Sequence, residues 1–301
     1  MRRANARLLE GPRFKLGEGV VWDSAARLVR WVDIPEGRVF SASLKSGGLG
    51  KMTMLIVGGT VGVVAPASGG GLLLGAGRRL AFVDPNGAIG FGPQVIEDPT
   101  KRFNDGGCDP AGRFLAGTVT DGRIGDDESL YQFGADGSAR TIRTNLHHPN
   151  GIAWTADGAR LYLVDTVPGD IWRARYNVTT GEVSDWQVAF RVSSGMPDGL
   201  TVDSQGNLWI AIWGEGEVRH YSPRGEVLAV VHVDAEYVTS VTLAGSALRS
   251  MVITTARSPN GTAGDVEETK SGALFVARAE IPGIASARWG GVGFGPPARR
   301  P

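Results

Sequence analysis

The chain has 301 residues, enough for one large domain or two of average size, and 42% are hydrophobic, so a substantial core is available. Thirty-one Lys and Arg offset thirty-one Asp and Glu, which gives no electrostatic case for nucleic acid or an anionic membrane surface. The single cysteine, Cys108, excludes an internal disulfide framework, reads as a small half-buried filler and suits a reducing, cytoplasmic compartment.

In chain order, MRRANARLLEGPRF carries basic residues with no apolar run behind them, which is not the pattern of a secretory signal. Residues 52 to 77 contain no charge and exceed the length of a membrane-spanning helix. Eight of those 26 residues are Gly and Pro66 interrupts them, so two buried strands around a PASGGG turn are expected instead, with no membrane partner.

Forty-five glycines imply many turns and hence many short strands. One turn-then-strand phrase recurs: WDSAARLVRWVD from Trp22, PASGGGLLLGAG from Pro66, CDPAGRFLAGTV from Cys108, TADGARLYLVDT from Thr155, VDSQGNLWIAIW from Val202 and GSALRSMVITTA from Gly245. The first large apolar residues after these turns are Leu28, Leu72, Phe114, Leu161, Leu208 and Met251, at intervals of 44, 42, 47, 47 and 43 residues. Six copies, each with room for four short strands, predict an all-β fold: a six-bladed β-propeller of four-stranded antiparallel blades over residues 1–289. PEGR from Pro35, DPNG from Asp84, GADG from Gly134, VTTG from Val178 and SPRG from Ser222 mark later hairpins. No stretch has a 3.6-residue period, which argues against alternating strands and helices. Residues 290–301, GGVGFGPPARRP, read as a flexible C-terminal tail.

Ten or eleven residues before four of the six anchors stand Glu18, Asn104, Asn150 and Asp198, where an apolar strand should begin apolar. Residues in one phase of a propeller repeat are related by its pseudo-sixfold axis. At the start of the innermost strands they would converge on one mouth of the central channel. Two carboxylates and two amides facing one point repel one another unless a cation sits among them. An oxygen set without thiolate or imidazole suits Ca2+, Mg2+ or Mn2+, with Zn2+ and Fe2+ as alternatives. Any one N-G, D-G or N-D pair alone reads as turn chemistry; four in phase read as a site. Arg102 reads nearly as well as a rim salt-bridge partner of Asp105 or Glu97. The four histidines lack metal-ligand spacing, and no nucleophile elbow or phosphate-binding loop is present.

The phrases LGEGVVWD, RFNDGGCDPAGRFLAGT, HPNGIAWTADGARLYLVDT and PDGLTVDSQGNLWIAIW closely resemble the regucalcin-like family, also called the senescence marker protein, gluconolactonase and luciferin-regenerating enzyme family. The resemblance implies a propeller with one catalytic divalent cation, Ca2+ first among candidates, in the central channel. By the same resemblance Glu18, Asn150 and Asp198 are the metal ligands and Asp198 is also the general base. Arg102 and Asn104 are implied to bind substrate beside the metal. Gly122 stands where many members carry a substrate-binding Glu, and Asp121 beside it is the expected substitute; Leu243-Ala244-Gly245 replaces a phenylalanine-glycine-glycine phrase. The implied activity is metal-dependent hydrolysis of a sugar-acid lactone. The alternatives are a calcium-dependent phosphotriesterase-type hydrolase and a non-catalytic propeller that binds calcium or a protein partner.

Overall fold

The computed structural model describes residues 2–45, 48–257 and 270–294. Six sheets of short antiparallel strands stand around one axis, and the only helical element among the described residues is the 3-10 turn Ile34–Glu36. Blade 1 consists of Gly17–Asp23, Leu28–Asp33, Arg38–Lys45 and Gly48–Ile56. Blade 2 is Val61–Pro66, Leu72–Ala76, Arg79–Val83 and Ile89–Gln94; blade 3 is Lys101–Cys108, Phe114–Thr120, Glu128–Phe133 and Ala139–Leu146. Blade 4 is Pro149–Trp154, Arg160–Asp165, Asp170–Tyr176 and Val183–Arg191, and blade 5 is Met196–Val202, Leu208–Trp213, Glu217–Tyr221 and Val227–His232. Blade 6 contains Val238–Ala244, Ser250–Thr255 and Leu274–Arg278. All six apolar anchors of the repeat lie in second strands, and first strands of successive blades pack on one another around the axis. The six-bladed expectation holds.

The ring closes through a device that the repeat did not announce. Arg7–Leu9 supplies the fourth strand of blade 6, pairing antiparallel with Leu274–Arg278, while Arg2–Asn5 adds in parallel to the outer strand of blade 5. Start and end of the chain thus share one sheet.

Why this shape leaves a central site follows from where the apolar residues go. The buried hydrophobics fall into six clusters, one between each pair of neighbouring blades. Val32 and Val39 of blade 1 meet Val61 and Leu74 of blade 2, and Trp209 and Val231 of blade 5 meet Val241 and Phe275 of blade 6. Each blade therefore buries both faces, as the uncharged residues 61–66 and 72–76 require. The core is a ring of wedges, and the axis is left for polar groups.

The segment after Arg278 crosses the axis at the end where the first strands finish. Ser204 N–H donates to the Pro282 carbonyl, Trp289 N–H to Pro66 and Gly290 N–H to Gly112, tying three inter-strand turns together. Val292 N–H donates to Ala135, and Phe294 packs beside Gly92 and Gly137; residues 295–301 of the expected tail lie outside the described residues. No helix among the described residues is long and apolar enough to cross a membrane.

Leu9 is 2% exposed and packs with Phe14, Trp31 and Leu274 in the wedge that closes the ring. Leu9→Ala should cost about 2–5 kcal/mol in urea unfolding. A loss below about 0.5 kcal/mol would show that the closing strand contributes little to the ring.

Candidate functional site

Every first strand breaks register with its neighbour at the phase the repeat singled out. The breaks fall between Glu18 and Val21, Val61 and Val63, Phe103 and Gly106, Pro149 and Ile152, Pro197 and Leu200, and Val238 and Ser240. A bulge bends the strand and re-aims side chains, here towards the axis. The glycine that follows two of these residues is required by packing, not by a turn. A Cβ on Gly151 would collide with the Leu200 backbone nitrogen, and one on Gly199 with Ser240. Asn150 and Asp198 thus sit where neighbouring backbones come nearest.

The approach to each bulge is clamped. Asp33, at the end of RWVD, accepts from the N–H groups of Lys15 (3.2 Å) and Leu16 (3.0 Å), just before Glu18. Asp165, at the end of YLVD, does the same for His147 (3.1 Å) and His148 (2.8 Å), just before Asn150. The repeated Val-Asp is a device for holding the chain that enters the site.

Glu18, Asn104, Asn150 and Asp198 are each 6% exposed. Asn104 Nδ2 donates across the blade boundary to Asn150 Oδ1 at 3.0 Å, and Asn150 Nδ2 donates to Thr166 Oγ1 at 2.9 Å. Thr166 in turn donates to the Pro197 carbonyl at 2.8 Å, one residue before Asp198. On the other side Arg102 Nη1 donates to Asn104 Oδ1 at 3.0 Å, while its Nε donates to Asp121 Oδ1 at 2.8 Å. Arg102 therefore has Asp121 as its salt-bridge partner, in place of the expected Asp105 or Glu97. The three residues expected to bind substrate, Arg102, Asn104 and Asp121, are thus joined by hydrogen bonds.

Asp105 joins this group, and the sequence reading gave it no part in the site. The bulge brings it to the channel behind Asn104, where it is 8% exposed and accepts from Gly106 N–H at 2.7 Å. Its signal was its place beside Asn104 in a strand that should have been apolar. It lines a cavity of about 380 Å³ that is also bordered by later residues of the first strands, such as Val64, Ile152 and Val202, and by Ile284–Ala287. His148 stands nearby, and burial followed by the charge of Arg102 lowers its pKa.

The electrostatics follow from three buried acids. Burial first, and the Asp105 charge second, push Glu18 from 4.5 up to about 8. Burial pushes Asp105 up to about 6, and burial, then Glu18, then Asp105 raise Asp198 well above the ordinary aspartate range. Asp198 Oδ1 is buried without a hydrogen-bond partner, although Gly199 N–H supports the carboxylate. An orphaned oxygen facing a second carboxylate is what a hard cation would satisfy, and the amide oxygen of Asn150 is of the same chemical kind. Among the described residues no three His, Cys, Asp or Glu side chains are grouped so as to hold a metal ion by themselves.

The chain belongs to the SMP-30/gluconolactonase/LRE-like family, whose sequence model matches residues 16–257. The pentonolactonase XacC of Haloferax volcanii is 35% identical over 277 residues, covering 87% of this chain and 90% of that protein. The regucalcin of Danio rerio is 32% identical over 248 residues, covering 80% and 83%. A solved structure of a calcium-binding regucalcin from Agrobacterium tumefaciens matches with a TM-score of 0.86 at 24% identity, covering 96% of this chain and 98% of that one. That last likeness concerns the fold.

The stability contribution of Glu18 is fully present below pH 4.5 and is lost as pH rises through about 8, because only the folded chain favours its proton there. In chelator, the melting temperature should therefore fall between about pH 5 and pH 9, and Ca2+ should cancel the fall. Circular dichroism melts with and without Ca2+ should show a gap that widens with pH. A gap independent of pH would contradict this electrostatic account.

Proposed function

We propose that this chain hydrolyses a sugar-acid lactone with the help of one divalent cation, Ca2+ first among candidates, held by Glu18, Asn150 and Asp198. The observation that carries the reading is the unpartnered Asp198 Oδ1, buried against Glu18 at the start of the channel strands. The pentonolactonase relative supports the substrate class. When bound, the cation would supply positive charge to polarise the lactone carbonyl and to stabilise the oxyanion of addition.

The chain's own residues do the remainder. Asp198 accepts a proton from the attacking water, whose oxygen bonds to the carbonyl carbon. The ring carbon–oxygen bond then breaks, and the ring oxygen leaves as a hydroxyl after taking back a proton. Burial and neighbouring acids raise the Asp198 pKa, and compensating positive charge would favour its ionised, basic form.

Arg102 donates from its remaining N–H groups to sugar hydroxyls, its fork held flat by Asp121 and Asn104. Asp121 is 60% exposed at its side chain and acts chiefly through Arg102. Orientation over the reacting carbon is the gain.

Two results test the reading. Chelation should silence aldonolactone hydrolysis, followed as acid release, and one added divalent metal should restore it. Asp198→Asn should lower turnover by at least about 100-fold while the circular dichroism spectrum is kept. Activity within a few-fold of the original chain would remove Asp198 from the mechanism. Preferred turnover of an organophosphate would favour the phosphotriesterase alternative.

A further inference from the structure

The side chains from Asp121 to Pro197 form one polar relay across three blades. Asp121 accepts from Arg102, Arg102 donates to Asn104, Asn104 to Asn150, Asn150 to Thr166 and Thr166 to the Pro197 carbonyl. Its direction is forced at both ends. A guanidinium can only donate and a backbone carbonyl can only accept. Asn104 must therefore offer its oxygen to Arg102 and its nitrogen to Asn150. Asn150 must then offer its oxygen to Asn104 and its nitrogen to Thr166.

Thr166 is 9% exposed and sits at the junction of blades 4 and 5, between Asn150 and the residue before Asp198. Its hydroxyl accepts from the Asn150 amide and donates to the Pro197 carbonyl. Without it, Asn150 Nδ2 and the Pro197 carbonyl would each lose a buried partner, and the amide would be held from the Asn104 side alone.

We propose that Thr166 is a positioning residue for the cation site, holding the Asn150 amide so that its oxygen, which accepts from Asn104 with one lone pair, presents the other to the ion. The inference rests on the cation reading of Glu18, Asn150 and Asp198. Groups that orient a metal ligand from behind commonly set affinity as strongly as the ligand's own geometry does. Thr166 needs no contact with substrate or ion. It acts through Asn150 and, by its bond to Pro197, steadies the strand that carries Asp198.

Isothermal titration of the full chain with CaCl2 tests this. Thr166→Val keeps the shape and removes the hydroxyl, and should weaken Ca2+ binding by about 10- to 100-fold. Thr166→Ser keeps the hydroxyl and should bind within about 3-fold of the original chain, a rescue that a purely packing role would not give. Undiminished affinity in Thr166→Val overturns the proposal. Thr166→Ser binding tenfold more weakly than the original chain also overturns it, and applies even if the valine variant fails to fold. An original chain that binds no divalent cation overturns the cation reading together with this one, whereas binding that is insensitive to Thr166 overturns this one alone.

Discussion

Three carboxylates share one buried hub, and the site is organised by their mutual repulsion. Glu18, Asp105 and Asp198 come from three different blades, each is nearly inaccessible, and burial lifts the pKa of all three. Removing an ion from water costs several kcal/mol even after relaxation, roughly the stability of a whole small domain for three of them. Neighbouring charges add to that cost. Such a cluster meets that cost either by holding protons, as the raised pKa values of Glu18 and Asp105 favour, or by taking up positive charge; the Arg102 charge lowers the Glu18 pKa only as a minor influence.

The propeller makes the arrangement affordable in structural terms by separating the two tasks. Apolar burial is completed in the six wedges between blades, so cohesion does not depend on filling the axis. The bulge in each first strand can then aim polar side chains inward without opening the core. Where the backbones crowd, glycine follows the ligand-like residue; where the chain enters, Asp33 and Asp165 hold it. Ile284–Ala287 line the cavity at the later ends of the first strands, away from Glu18, Asn104, Asn150 and Asp198.

The architecture was legible because each blade contributes one strand buried on both faces, and such strands return at a nearly constant interval. Leu28, Phe114 and Leu208 all open second strands. The ligand-like set was legible for the converse reason: Glu18, Asn104, Asn150 and Asp198 are polar where their strands should be apolar. Other features lack periodicity. Arg7–Leu9 closes the ring with three residues, too few to carry a pattern. Asp105 was hidden because a bulge brings two successive residues to the axis, whereas counting by repeat expects one. The partner of Arg102 is Asp121, 19 residues on and across a hairpin, a contact no local rule specifies. Thr166 lies in a different phase of the repeat from the residue it orients.

The central claim is that positive charge belongs at the point where these acids and amides meet. An anomalous difference map from crystals soaked in CaCl2 tests it most directly. The account predicts one strong peak on the channel axis, with oxygen atoms of Glu18, Asn150 and Asp198 at about 2.3–2.6 Å. A map without a peak there at saturating Ca2+, or with the ion bound only at the outer edges of the blades, would contradict it.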